Sequence, residues 1–181
     1  MDKPVTHNQH PDIPPKITFT IIGIDDNDQQ ELSEQARKAI AGGLVFSGGK
    51  RHHEIMRKYL PDKHLWIDIT VPLDRVFHQY KEYSDIVVFA SGDPLFFGFA
   101  NTVRKRLPDA VVSVIPTFNS LQILAHRLLL PYHDMHVVSL TGRPWHEFDR
   151  ALIEGYGKIG VLTDREHTPA SIAGRMLDYG Y

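Results

Sequence analysis

A chain of 181 residues, 42% hydrophobic and 23% charged, is long enough to bury a core as one domain or two small ones. Its net charge of -2 provides no basic field, so nucleic-acid binding is not expected, and the lack of cysteine excludes disulfides, thiolate zinc sites and a cysteine nucleophile. No apolar stretch reaches the roughly 20 residues of a membrane span, and the first residues lack the apolar core of a secretory signal. We therefore expect a soluble, cytoplasmic protein without a membrane partner.

The chain opens with a polar stretch, residues 1–15, that contains four prolines and is predicted to be a disordered leader. From Ile17, apolar runs typical of strands alternate with amphipathic stretches typical of helices. Strands are predicted over 17–23, 44–47, 66–71, 86–90 and 110–115, and helices over 32–40, up to Leu60, over 73–83 and over 95–107. This alternation predicts an N-terminal α/β domain over residues 16–115 with a mainly parallel sheet.

The pattern changes at Pro116, which halts the fifth strand, and Asn119 or Ser120 can cap the helix that follows. Further strands are predicted over 135–140 and 159–164, and helices over 121–130, 145–154 and 169–177. Because no closing strands follow, residues 116–181 are predicted to be the start of a second, truncated α/β domain. The chain is accordingly expected to be a fragment of a longer protein.

The fourth predicted strand runs directly into Ser91-Gly92-Asp93-Pro94. In an open parallel sheet, ligands bind at the carboxyl ends of the strands, where this turn falls. Gly92 allows close approach to its backbone, Asp93 offers a carboxylate, and Pro94 lets a helix begin at Leu95. A ligand-binding turn and a plain strand-turn-helix both fit this pattern.

Two other loops follow predicted strands. The first has only Gly23 where a dinucleotide-binding loop has three glycines, and its acidic residues Asp25 and Asp26 would repel a pyrophosphate. The second, Gly48 to Glu54, contains Lys50, Arg51 and His52 and fits either an anion-binding loop or the solvated start of a helix.

Other kinds of chemistry find little support in the sequence. The cluster His133-Asp134-Met135-His136 lacks the helical spacing of a zinc motif, so no metal is expected. The serines lack the nucleophile elbow of α/β hydrolases. The aromatic residues Phe96, Phe97, Tyr132 and Trp145 are predicted to line a core or cleft rather than to stack on bases.

The order of these segments resembles the tetrapyrrole (corrin/porphyrin) methylase family. The resemblance runs from about Ile17 to Tyr181 and rests on the segments 88–98, 116–122, 138–143 and 161–164. The Gly92-Asp93-Pro94 block is shared across the family, whereas Gly142-Arg143 and Leu162-Thr163-Asp164 narrow the resemblance to the CbiE/CobL branch, the precorrin-6Y or cobalt-precorrin-7 C5-methyltransferases.

This resemblance implies two unlike α/β domains with S-adenosylmethionine in the cleft between them. It assigns cofactor binding to Gly23, Asp25, Asp26, Gly92, Asp93, Phe96, Asn119, Ser120, Thr163 and Asp164. The chain departs from the family where Gly-x-Gly-Pro-Gly is replaced by residues 23–27, Ser-Ser by Asn119-Ser120, and His-Gly-Arg by residues 141–143.

The implied reaction is C5 methylation of a corrin precursor in cobalamin biosynthesis. The cationic candidates for the substrate carboxylates are Lys50, Arg51, His52 and Arg143, and no general base is nominated, because positioning can supply most of the rate. The expected partners are a second copy in a homodimer and a fused or separate C15-methyltransferase/decarboxylase domain. A diphthine synthase or rRNA methyltransferase type of enzyme, and a non-catalytic α/β module, are the alternatives.

Overall fold

The computed structural model describes residues 16–181, so the predicted leader lies outside the described residues. Strands and helices alternate through this range, as the sequence predicts. The strands are β1 (Thr18–Ile24), β2 (Val45–Gly48), β3 (Leu65–Asp68), β4 (Asp85–Ser91), β5 (Val111–Ile115), β6 (His136–Ser139) and β7 (Ile159–Leu162). The α-helices are α1 (Glu34–Gly42), α2 (Lys50–Met56), α3 (Leu73–Tyr80), α4 (Phe99–Arg106), α5 (Ser120–Leu128), α6 (His146–Glu154) and α7 (Pro169–Asp178).

The first five strands form one parallel sheet in the order β3-β2-β4-β1-β5. Its central strands are apolar along nearly their whole length because both faces of the sheet are covered. Phe19 and Val88 pack into an apolar cluster on one face, and Ile22 and Phe89 pack into another on the opposite face. The predicted parallel α/β architecture is confirmed.

The second part of the chain has its own small core. Strands β6 and β7 pair in parallel, and Val138, Leu140 and Phe148 are buried against the helices beside them. Helix α5 leads into this part and begins at a capping box, in which the side chain of Asn119 accepts from the Gln122 N–H and Gln122 Oε1 accepts from the Asn119 N–H. Of the two predicted caps, Asn119 is the one observed.

The structure corrects the predicted start of the helix after Pro94. Helix α4 begins at Phe99 rather than at Leu95, and residues 95–98 form a turn. Phe97 has a φ of 54°, in the left-handed region. A right-handed helix cannot include such a residue, so α4 begins only after it. The Asn101 side-chain amide donates to the Leu95 carbonyl at 2.8 Å and so holds the turn.

The predicted third strand is also too long. Strand β3 ends at Asp68, and Val71 is 87% exposed. The last bond to β2 is made by the Ile69 N–H, which donates to the Gly48 carbonyl at 2.8 Å. No helix within residues 16–181 is long and apolar enough to cross a membrane.

Candidate functional site

A cavity of about 720 Å³ lies where the carboxyl ends of β1 and β4 face the start of α5. Strands β1 and β4 are neighbours in the sheet, with Ile24 paired to Ser91, so their terminal loops open on the same side. This cavity is called the cleft below. Its lining comes from Ile24 to Asn27, Arg51, Ser91, Gly92, Phe96, Thr117 to Ser120, Ile123, Leu124, Arg127 and Leu162.

Two glycines let three segments of the chain meet at the base of the cleft. Gly92 has a φ of 63°, and a Cβ placed on it would lie 2.9 Å from the Cα of Asn119. A Cβ on Gly23 would overlap the Gly92 carbonyl oxygen. The sequence suggested ligand approach as the reason for glycine at position 92; the structure adds a left-handed backbone and close packing against the linker before α5.

The first loop is shaped by one of its own carboxylates. Asp25 accepts hydrogen bonds from the Asn27 N–H at 2.9 Å and from the side-chain amides of Asn27 and Gln30, each at 2.7 Å. Asp26 instead pairs with Arg51 at 2.7 Å. Both carboxylates line the cleft, which gives this wall a negative charge that Arg51 partly balances.

A second cavity, of about 350 Å³, adjoins the cleft and shares Ser91, Phe96 and Leu162 with it. Its lining includes His52 and Arg143, the latter with its guanidinium carbon 4.9 Å from the centroid of the Phe97 ring. Burial lowers the pKa of His52, and the neighbouring Arg51 lowers it further. The imidazole is therefore neutral at pH 7 and adds no positive charge to this wall.

The predicted substrate-binding residues are thus mostly brought together. Arg51 lines the cleft, and His52 and Arg143 line the cavity beside it. Lys50 is exposed at the start of α2 and lines neither cavity. Their part in substrate binding stays a prediction.

Of the predicted cofactor residues, six line the cleft: Asp25, Asp26, Gly92, Phe96, Asn119 and Ser120. Gly23 supports the cleft from beneath through its contact with Gly92. Asp93, Thr163 and Asp164 are not among the lining residues. The Asp93 carboxylate accepts from the Leu95 N–H at 2.9 Å and so shapes its own turn.

The position of Asp164 is fixed by hydrogen bonds to neighbouring loops. Its carboxylate accepts from the backbone N–H groups of Gly142 at 2.8 Å and His167 at 2.7 Å, and from the Glu166 N–H at 2.9 Å. These bonds, led by the one from His167, hold the pKa of Asp164 far below its usual range. The Thr163 carbonyl accepts from the Thr141 hydroxyl at 3.2 Å. The contact of Thr163 and Asp164 with the cofactor remains a prediction.

Sequence reasoning missed the wall of the cleft that α5 provides. Ile123, Leu124 and Arg127 follow the cap at Asn119 by four, five and eight residues, which places them on one helical face. This spacing could have identified them once Asn119 was chosen. Ser91 was also missed, because its hydrogen-bond partners, Arg51 and His52, lie on helix α2, far away in the sequence.

The charged and aromatic side chains of the His133-Asp134-Met135-His136 segment make contacts with other parts of the chain. Asp134 pairs with Lys158 at 2.6 Å, and His136 stacks on Tyr156 with ring centroids 3.9 Å apart. Across residues 16–181, no group of three or more His, Cys, Asp or Glu side chains is placed to hold a metal ion.

Residues 18–181 match the family model of the Tetrapyrrole (Corrin/Porphyrin) Methylases. A decarboxylating precorrin-6Y C(5,15)-methyltransferase of Sinorhizobium sp is 30% identical over 166 residues, which cover 90% of this chain and 39% of that protein. A cobalt-precorrin-7 C(5)-methyltransferase of Salmonella typhimurium is 26% identical over 163 residues, which cover 90% of this chain and 79% of that protein.

Solved structures share the fold. A cobalamin-biosynthesis precorrin-6Y methylase of Archaeoglobus fulgidus superposes with a TM-score of 0.68 at 22% identity, over 87% of this chain and 78% of that chain. A uroporphyrin-III C-methyltransferase of Thermus thermophilus, in complex with S-adenosyl homocysteine, gives a TM-score of 0.66 at 19% identity, over 91% of this chain and 77% of that chain. With the family model matching nearly all of the described residues, the chain belongs to the tetrapyrrole (corrin/porphyrin) methylase family.

Proposed function

We propose that the protein is an S-adenosylmethionine-dependent methyltransferase that acts at C5 of a corrin precursor, precorrin-6Y or cobalt-precorrin-7, in cobalamin biosynthesis. The observation that carries the proposal is the cleft at the ends of β1 and β4, whose volume of about 720 Å³ suits a nucleoside-sized ligand. Family membership and the names of the relatives support the reaction class.

The side chains of the cleft fit S-adenosylmethionine. Ile123, Leu124 and Leu162 supply apolar surface for an adenine ring, while Asn119 and the carboxylate of Asp26 supply polar groups. The carboxylates of Asp25 and Asp26 provide negative charge for a sulfonium on the first-loop wall, although Arg51 and Arg127 in the same lining balance them in formal charge. The bound cofactor would supply an electrophilic methyl group, so the protein has mainly to hold two ligands in alignment.

The adjoining cavity suits the second ligand. Ser91 and Phe96 lie on the border between the two cavities, so ligands in both would meet there. Arg143 lines this cavity and Arg51 lines the cleft beside it, and their guanidinium groups match the carboxylates on the rim of a corrin precursor. Each such contact contributes about 1.5–3 kcal/mol where it is desolvated and far less where it is exposed.

The test is transfer of an isotopically labelled methyl group from S-adenosylmethionine to defined acceptors. Precorrin-6Y and cobalt-precorrin-7 are offered separately, with a protein acceptor and rRNA as controls for the other branches of the family. Labelling of one corrin precursor at C5 is the expected result. Labelling of protein or RNA alone, or of no acceptor, would contradict the proposal.

A C15-methyltransferase/decarboxylase domain, fused or separate, is part of the same proposal. It is supported by the Sinorhizobium relative, whose name includes the C15 position and of which this chain covers 39%. The homodimer and the cytoplasmic location stay predictions, which light scattering on the purified protein and cell fractionation would test.

A further inference from the structure

Ser91 is the last residue of β4 and lies on the border of the cleft and the adjoining cavity. It is exposed, and its hydroxyl is approached by two side chains of the neighbouring helix α2, His52 and Arg51. No function has yet been given to it. Which way its proton points depends on which of its neighbours donate.

The tautomer of His52 follows from the backbone beside it. The Gly49 N–H points at the Nδ1 atom of His52, with 3.2 Å between the nitrogens. An N–H can only donate, so Nδ1 must be the unprotonated, accepting nitrogen. The neutral ring then carries its proton on Nε2, which lies 3.0 Å from the Ser91 hydroxyl oxygen and donates to it.

Arg51 supplies the second donor. One of its terminal nitrogens donates to the Ser91 oxygen at 3.0 Å, and the other is held by Asp26 at 2.7 Å. A guanidinium group has no accepting atom, so this bond has only one possible direction. Both lone pairs of the Ser91 oxygen are then occupied by protein donors.

A hydroxyl that accepts twice still has one proton to donate. Within residues 16–181, the Ser91 oxygen has no hydrogen-bond partner besides His52 and Arg51, so no protein acceptor takes that proton. We propose that Ser91 is a ligand-binding residue whose O–H, oriented by His52 and Arg51, donates to a carboxylate at the junction of the two cavities. His52 is then a positioning residue, which acts through Ser91 rather than as a cation.

A carboxylate is the acceptor that this arrangement favours. The Arg51 guanidinium lies directly beside the hydroxyl, and its charge selects an anionic acceptor over a neutral one. Two sources carry this group under the proposed function, on which the inference rests: the amino-acid end of the cofactor and the acid side chains of the corrin precursor. The Ser91 position on the shared border permits either one.

The test compares Ser91→Ala with Ser84→Ala, a control just before the opposite end of β4, where the hydroxyl donates to the adjacent Asp85. S-adenosylhomocysteine and 5′-methylthioadenosine, which lacks the amino-acid carboxylate, are titrated by calorimetry, and the Michaelis constant of the corrin precursor is measured. Loss of a hydrogen bond to a charged group corresponds to about tenfold weaker binding or more. We expect this loss for Ser91→Ala alone.

The source of the carboxylate follows from which ligand is affected. If Ser91→Ala weakens the binding of S-adenosylhomocysteine but not that of 5′-methylthioadenosine, the contact is with the cofactor. If it raises only the Michaelis constant for the corrin precursor, the contact is with the substrate. If wild-type protein binds neither nucleoside, the proposed function itself fails. If it binds and methylates normally and Ser91→Ala changes no constant, the inference about Ser91 is wrong.

The positioning role of His52 needs a measurement that a structural defect would not imitate. His52→Ala should weaken the binding of the same ligand when Ser91 is present, and it should have little further effect on that binding in a Ser91→Ala background. His52→Gln keeps an acceptor for Gly49 and a donor for Ser91, so it should restore most of the binding. Additive losses in the double variant would show that His52 acts independently of Ser91.

Discussion

Replacement of Gly92 by alanine tests how the base of the cleft is built. Gly92 lies at φ 63°, where a side chain is disfavoured, and an added Cβ would lie 2.9 Å from the Cα of Asn119 and 3.2 Å from the Phe118 carbonyl oxygen. Both neighbours are backbone atoms, so neither can move without a shift of the backbone. Asn119 caps α5 and lines the cleft, so any shift there alters the binding surface.

Gly155 provides a matched control. It has a φ of 69°, and a Cβ placed on it would meet no atom within 4 Å. Its replacement by alanine therefore carries only the left-handed penalty of about 1–2 kcal/mol, reduced by about 0.4–1 kcal/mol through the lower entropy of the unfolded chain. At Gly92, the same penalty is joined by an overpacking cost of about 1–3 kcal/mol.

The expected loss of unfolding free energy is therefore about 2–4 kcal/mol for Gly92→Ala and about 1 kcal/mol or less for Gly155→Ala. Urea unfolding of both variants measures this difference, and calorimetry with S-adenosylhomocysteine measures its effect on the cleft. Gly92→Ala should also bind the nucleoside more weakly, whereas Gly155→Ala should bind as the wild type does. Equal losses of stability in the two variants would refute the packing argument at Gly92.

Three further predictions concern other parts of the molecule. Arg143→Ala should raise the Michaelis constant for the corrin precursor and leave S-adenosylhomocysteine binding unchanged, since Arg143 lines the adjoining cavity and not the cleft; equal effects on both ligands would contradict this separation. Tyr80→Phe should lower the unfolding free energy by about 1 kcal/mol, because the buried hydroxyl lies 2.6 Å from Ser47 Oγ, which then loses a donor; an unchanged urea midpoint would count against it. The depressed pKa of Asp164 contributes stability above the unfolded value of about 3.9, and this is lost as the pH falls through the folded value. The difference in urea midpoint between wild type and Asp164→Asn should therefore be largest at neutral pH and shrink below about pH 4, and a difference independent of pH would show that the carboxylate charge is not involved.

Most strands and helices could be predicted from the sequence because their burial is unusually complete. The run from Ile86 to Ala90 is apolar at every position and is buried throughout in β4. The cap at Asn119 could be predicted for a local reason, because a capping box needs only residues three apart. Apolar runs and capping boxes both involve residues that are close in the sequence, so they can be recognised without knowledge of the fold.

The start of α4 could not be predicted, because it depends on the left-handed conformation of Phe97 and on the contact of Gly98 with Pro94. Phenylalanine gives no sequence signal for a positive φ. The end of this turn, and with it the start of α4, therefore cannot be read from the sequence.

The candidate site was predicted in part for the same reason. Gly92 and Asn119 stand at the ends of predicted elements, whereas the Ser91 contacts with Arg51 and His52 join residues about 40 apart. Those contacts exist because β2 and β4 are neighbours in the sheet, which the order of elements along the chain does not specify. Likewise, the Asp164 carboxylate reaches the Gly142 N–H, 22 residues away, only once β6 and β7 pair.

The most direct test of cofactor binding in the cleft is a crystal structure of the protein with S-adenosylhomocysteine. We expect one nucleoside in the cleft, in contact with Gly92, Asn119 and the α5 face that contains Ile123. Density for the nucleoside at any other surface, with the cleft filled only by water, would show that the cleft is not the cofactor site.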